Sequence, residues 1–313
     1  MAAIRLQSTY TNLFRLPVSL RPISPVIRSR FLQTTPDIKK ECYINESENG
    51  IFTIVLDRPK AKNALSKKLL EEFRSAINQI KNKSDARVAI LKSNVEGVFC
   101  AGADLKERLT MEPHEVSQFL TTLKQTYIEL ETLPMPTIAA IDGAALGGGF
   151  EMALCCDMRV CGTKSVIGLP ETALGIIPGA GGTQRLSRLV GPSKTKELIF
   201  SGLRLNPEQS LKYGIVNDIV GPSSYSGIAA SISNQNNTAT GYDLALAWAK
   251  KISSQGPIAI RMAKKAISMG SQTDIQTGLE IEQLCYDRVI GTEDRMEGLR
   301  AFKEKRPPVY KGK

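Results

Sequence analysis

One stretch limits the folds open to this chain more than any other. Residues 137–182 read TIAAIDGAALGGGFEMALCCDMRVCGTKSVIGLPETALGIIPGAGG. The stretch opens on an apolar run, Thr137-Ile138-Ala139-Ala140-Ile141, of the length of a buried strand. Asp142-Gly143 and the triple glycine Gly147-Gly148-Gly149 come next, and Phe150 to Cys156 then reads as a helix rich in Ala, Leu and Met. Strand, glycine turn and helix in that order bring bare backbone N–H groups close to a ligand, and the helix adds the positive end of its dipole. Negative charge developing on an oxygen would be held well there.

Two carboxylates share this stretch. Glu151 falls in the first turn of the helix, beside the glycines. Glu171 follows the strand-like Ser165-Val166-Ile167-Gly168-Leu169 and Pro170. A charge among glycines and apolar residues is costly without a partner or a task, and two acids around one site can divide acid and base work. Each feature also has a plain structural reading. Glycines ahead of a helix serve close packing, and a first-turn glutamate complements the helix dipole. Two phosphate-loop readings fail: neither glycine cluster fits G-x-G-x-x-G, and neither supplies the Lys-Ser/Thr of a nucleotide P-loop.

The motifs resemble those of the crotonase (enoyl-CoA hydratase) superfamily. The carrying residues are Ile141-Asp142-Gly143, Leu146-Gly147-Gly148-Gly149, Glu151, Cys156-Asp157, Pro170-Glu171 and Ile177-Pro178-Gly179-Ala180-Gly181-Gly182-Thr183-Gln184-Arg185. Upstream, Phe99-Cys100-Ala101-Gly102-Ala103-Asp104-Leu105-Lys106 extends the likeness. The resemblance implies an α/β fold: a crotonase-like spiral of repeated ββα units over residues 37–252, then a helical C-terminal trimerisation region over 253–313. It implies an acyl-CoA substrate, no metal and no cofactor beyond the coenzyme A that the substrate carries. It makes Glu151 and Glu171 the catalytic pair, and the backbone N–H groups of Ala103 and Gly148 the oxyanion hole. It points to Lys60, Lys62, Ala101, Asp104, Leu105, Phe302 and Lys305 as coenzyme A contacts, the last two in a neighbouring subunit of a trimer or dimer of trimers. Within the superfamily the segments Gly97 to Arg108 and Lys196 to Ser201, with the tail Ala301 to Lys313, run closest to the mitochondrial 3-methylglutaconyl-CoA hydratases. General short-chain enoyl-CoA hydratases are the runner-up. The sequence singles out no basic residue as partner for a carboxylate on the substrate.

An RNA-binding member of that branch carries lysines four apart on its first helix. The matching positions here are Lys67, Glu71 and Ser75, and acids at Glu71 and Glu72 would repel phosphate. RNA is therefore not expected as a partner, and no run approaches membrane-spanning length.

Charge is unevenly spread. Half of the net +10 lies in residues 1–36, which hold Arg5, Arg15, Arg21, Arg28 and Arg30 and no acid. With its Ser and Thr content, this leader has the composition of a cleaved mitochondrial transit peptide, and the expected location is the matrix. The six cysteines lack metal-type spacing and read as free thiols of a reducing compartment. His114 is the only histidine, which argues against a Ser-His triad or a histidine-rich metal site.

Elsewhere Cys42 to Ile44 and Ile51 to Leu56 read as a hairpin about Asn49-Gly50. Lys67 to Lys81 is an amphipathic helix capped by Ser66, and Val88 to Leu91 is a strand. Helices are expected over Glu115 to Leu133, Thr183 to Val190, Ser193 to Phe200, Tyr242 to Ile252, Ile258 to Met269, Thr273 to Ile290 and Asp294 to Lys305. Residues 221–241 contain no charge and much Ser, Asn and Gly, and read as an exposed, flexible insertion.

Overall fold

The computed structural model describes residues 40–313, apart from 222, 225 and 234–238. The arginine-rich leader and residues 234–238 of the uncharged stretch lie outside the described residues.

The chain begins with strand β1 (Cys42–Ser47) antiparallel to β2 (Ile51–Leu56). Their turn needs left-handed backbone at two consecutive positions, and Asn49 (φ 63°) and Gly50 (φ 69°) provide it. Helix α1 (Lys67–Lys81) starts where the Ser66 hydroxyl accepts the Leu69 amide. Its buried stripe is Leu69, Leu70, Phe73, Ala76, Ile77 and Ile80, the spacing of one helix face. Strands β3 (Val88–Ser93) and β4 (Val98–Cys100) lead to the short helix α2 (Leu105–Arg108) and the long helix α3 (Pro113–Glu131). Then come β5 (Thr137–Ile141), β6 (Ala144–Leu146), α4 (Gly148–Leu154), β7 (Met158–Cys161), β8 (Val166–Gly168) and a 3-10 turn at Glu171–Leu174.

Helices α5 (Gly182–Val190) and α6 (Pro192–Ser201) follow, then β9 (Arg204–Leu205), α7 (Pro207–Lys212) and β10 (Asp218–Ile219). The chain ends on helices α8 (Gly227–Ser233), α9 (Gly241–Ser253), α10 (Pro257–Gly270), α11 (Ile275–Ile290) and α12 (Glu293–Glu304). Helix α8 lies inside the stretch whose composition suggested an irregular insertion, and its Ala229 is fully buried.

Among the described residues the strands form two sheets, in the orders β1-β2-β3-β5-β7-β10 and β4-β6-β8-β9. Three times the chain leaves the first sheet, turns a corner and enters the second: β3 to β4, β5 to β6, β7 to β8. A helix or 3-10 turn follows each passage. This is the spiral of ββα turns that the resemblance implied. The central strands are parallel and covered on both faces, which explains their unbroken apolar runs. One face packs Phe52, Ile54, Leu91 and Ile141 into the main core; the other packs Ile90, Ile138 and Val160 against Leu244, Ala245 and Ala249 of α9.

The corners stack through backbone bonds. Ala144 N donates to Gly97 O at 3.0 Å, and Val166 N donates to Gly143 O at 3.1 Å. Gly143 has φ 85°, and a Cβ on it would lie 2.0 Å from the carbonyl carbon of Gly97.

The C-terminal helices are of another kind. Helix α10 buries none of its residues within this chain, and Ile267, Ile275, Leu284 and Phe302 are 70%, 79%, 69% and 88% exposed. The last residues fold back onto α12, where Asp294 accepts the amides of Lys311 and Gly312.

Gly143→Ala combines a disfavoured φ with a backbone overlap. It is expected to lower stability by at least about 3 kcal/mol, read as a fall in the urea midpoint at unchanged slope.

Candidate active site

The triple glycine is required by contact. Gly147 has φ 52° and ψ −128°, a conformation side chains disfavour. A Cβ on Gly148 would lie 2.7 Å from Leu65 Cδ1, and one on Gly149 would lie 2.4 Å from the Cys100 carbonyl oxygen. The start of α4 thus lies directly against the loop that follows β4.

That loop is held from behind. Asn63, fully buried in a left-handed turn (φ 54°), donates to Ser93 Oγ and to Phe99 O, and its Oδ1 accepts the amide of Arg58. Leu65 N donates to Gly102 O at 2.8 Å, and Ala101 N donates to Lys62 O. Asp104 caps α2 and pairs with Arg58 at 2.7 Å. The result sets Ala103 beside Gly148: a Cβ on Gly102 would lie 3.5 Å from Gly148 N. Among the described residues neither the Ala103 nor the Gly148 amide donates to a backbone carbonyl, and both residues line one groove of about 2140 Å³. Tyr127 of α3 donates its hydroxyl to Gly148 O at 2.6 Å and so fixes the turn. Burial raises its pKa well above the ordinary value, which keeps it a neutral donor.

Both predicted acids stand at this turn. Glu151 is 2% exposed. Its Oε1 accepts the amides of Ala180 and Gly182 at 2.8 and 2.7 Å. The loop carrying those amides is braced by Arg185, which donates to Ala180 O and forks onto Glu131. Glu151 is therefore more than a dipole partner for α4: it reaches across to a second segment. Glu171 follows Pro170, with Oε1 3.1 Å from where a Cβ of Gly147 would lie. Its Oε2 is buried without a hydrogen-bond partner among the described residues. Burial raises the pKa of Glu151, against the pull of its two amides. Burial and then the Glu151 charge push Glu171 up to about 7. An acid that gives and takes a proton near neutrality thus faces an acid whose hydrogen bonds favour its charge.

Of the expected coenzyme contacts, Ala101 and Leu105 line the groove. Asp104 turns its carboxylate to Arg58 and is not part of that lining. Lys60 and Lys62 are exposed on the loop next to Ala101, while Phe302 on α12 and Lys305, the residue that ends it, are also exposed; none of the four lines the groove within this chain. Asn63, Leu65 and Tyr127 hold the site together and were not singled out by sequence; Arg185, the last residue of a motif that carries the resemblance, was given no role there. His114 is exposed, and the six cysteines are free and buried. Burial raises the Cys100 thiol to about 12, which keeps it protonated and unreactive. Among the described residues no group of His, Cys, Asp and Glu is poised to hold a metal, and no helix is long and apolar enough to cross a membrane.

Comparison with known proteins gives the family. The family model described as Enoyl-CoA hydratase/isomerase matches residues 46–313. Probable enoyl-CoA hydratase 2, mitochondrial, of Arabidopsis thaliana is 47% identical, over 91% of this chain and 90% of the plant protein. Methylglutaconyl-CoA hydratase, mitochondrial, of Mus musculus is 45% identical, over 89% of this chain and 85% of the mouse protein. The crystal structure of an enoyl-CoA hydratase from Bacillus anthracis superposes with a TM-score of 0.79 at 44% identity, covering 87% of this chain and all of the bacterial one.

The raised pKa of Glu171 has a stability consequence of definite sign. Folding favours the protonated carboxyl, so this stabilisation is full below pH 4.5 and is lost as pH rises through about 7. Glu171→Gln is expected to match the unsubstituted protein near pH 4 and to exceed it in urea midpoint at pH 8.

Proposed function

The chain belongs to the enoyl-CoA hydratase/isomerase family and is a hydro-lyase acting on an acyl-CoA thioester, and we propose that it adds water across the 2,3 double bond of 3-methylglutaconyl-CoA, giving 3-hydroxy-3-methylglutaryl-CoA in leucine breakdown. The observation that carries the mechanism is the pair of buried acids, Glu151 and Glu171, flanking the turn that holds the Gly148 amide.

The thioester oxygen is received by the amides of Ala103 and Gly148. Each such donor contributes about 3 kcal/mol to the barrier reduction, because the charge it meets develops only in the transition state. Glu151 keeps Oε1 on two amides, which leaves Oε2 to orient and deprotonate the water that attacks C3. Glu171, titrating near neutrality, passes a proton to C2 as the enolate collapses. The two carboxyls share one proton inventory and act as a pair. The donor set consists of carboxylates and amides, and the chemistry calls for no cofactor beyond the coenzyme A of the substrate.

The 3-methylglutaconyl substrate is supported by the name of the mouse relative and by the matching segments at 97–108 and 301–313. A general short-chain enoyl-CoA hydratase is the second reading, supported by the name of the plant relative. Acyl-CoA is favoured over RNA because the cations of α1 face acids: Lys67 meets Glu115, Lys68 meets Glu41, and Arg74 grips Glu129. A trimer or dimer of trimers would cover the apolar faces of α10 to α12 and carry Phe302 and Lys305 toward a neighbour's coenzyme. Lys60 and Lys62 stand on the loop beside Ala101, suited to the coenzyme phosphates. The mitochondrial matrix is proposed from the leader's composition and the mitochondrial relatives.

Glu151→Gln and Glu171→Gln are each expected to reduce kcat by about a thousandfold while a saturated CoA thioester still binds, as followed by loss of the conjugated enoyl absorbance and by calorimetry. Near-normal turnover in either variant would overturn the paired mechanism. A kcat/KM preference for 3-methylglutaconyl-CoA over crotonyl-CoA of about a hundredfold, or about 2.7 kcal/mol, would separate the two substrate readings.

A further inference from the structure

Arg108 is the last residue of α2, five positions beyond Ala103, and it lines the same groove. From Leu105 to Arg108 the helix rises roughly 4.5 Å. Its guanidinium stacks on the buried ring of Phe119, 3.9 Å from the centroid. Its polar contact is a weak one, Nη1 to Met111 Sδ at 3.7 Å. Its neighbour Glu107 turns instead to the amide of Lys67. Among the described residues no acid forms an ion pair with it.

Other cations of the groove differ in circumstance. Arg185, Arg188 and Lys264 are already engaged, by Glu131, Gln272 and Asp157 respectively, and Arg159 and Arg261 donate to backbone carbonyls. Lys124, Arg204 and Lys265 are exposed and remain hydrated. Arg108 is half-buried, beside Leu105, Val116 and Leu120. Burial also lowers its pKa. A charge so placed has given up part of its hydration, and an aromatic face returns only part of that cost. A planar fork of donors facing an apolar groove is matched by a carboxylate.

We propose that Arg108 binds a carboxylate at the far end of the acyl chain, so that the site selects enoyl-CoA thioesters of dicarboxylic acids over simple fatty enoyl chains. The proposal rests on the hydratase reading above and assigns its substrate class to one side chain. The amides of Ala103 and Gly148 mark the thioester end. Four carbon–carbon bonds beyond it span roughly 5 Å, and the arginine side chain bridges the remainder.

Calorimetry on the full-length protein with glutaryl-CoA and butyryl-CoA tests this, since the two differ at the terminal group. Arg108→Met is expected to weaken glutaryl-CoA about thirtyfold, the worth of a charge-assisted hydrogen bond, and to leave butyryl-CoA within about twofold. Arg108→Lys, which keeps the charge but not the fork, should fall between. Equal weakening of both thioesters in both variants would assign the guanidinium to the coenzyme phosphates or to the fold. An unchanged glutaryl-CoA affinity would remove it from the site. Either result overturns the proposal. Hydration of 3-methylglutaconyl-CoA and crotonyl-CoA by the unsubstituted protein reports on the hydratase reading separately: absence of both would overturn that reading, while the two binding affinities would still decide the role of Arg108.

Discussion

Everything at the site depends on how closely two backbones approach. The start of α4 and the segment from Cys100 to Ala103 are far apart in sequence, yet no side chain fits between them at Gly149 or Gly102. Only that contact brings the Ala103 and Gly148 amides to one groove. Neither segment holds the position alone. Asn63 and Leu65 fasten the loop from one side, and Tyr127 fixes the turn from the other. The unpaired amides are thus the product of much paired structure around them. Polar groups left open beside a buried wall are costly, and here they are kept by surroundings that leave them no alternative.

The same economy governs the acids. Glu151 is buried but given two amides, whereas Glu171 is buried with one oxygen given none. Identical side chains are driven toward different titration behaviour by what surrounds them. Arg185, through Glu131 and the Ala180 carbonyl, steadies the loop that makes the difference.

Much of this was legible in the sequence because it is local. Period and caps marked α1 residue for residue, and an apolar run of five marked β5. The glycine turn announced close approach, and two acids among glycines announced a site. What escaped notice depends on contacts between distant segments. Asn63 reads as an ordinary loop residue until Phe99 and Ser93 meet it across the fold. Tyr127 reads as one more apolar position of α3, and Arg185 as the end of a glycine-rich motif. Strand β6 is too short to carry a pattern of its own; its pairing with β4 and β8 creates it. Helix α8 was hidden by a Ser- and Asn-rich composition that argues against helix, and packing against α9 outweighs that preference.

Two aspartates show how the fold treats that uncharged stretch. Asp218 receives Ser224, Ser226 and the indole of Trp248 at its near end. Asp142, on the corner just before the glycine turn, receives the first amides of α9 at its far end. Both ends of the stretch are therefore tied to buried carboxylates or the sheet corner, and α8 between them is seated on α9. A label meant to leave the reaction centre untouched is better placed on the exposed face of α8 than on either clasp.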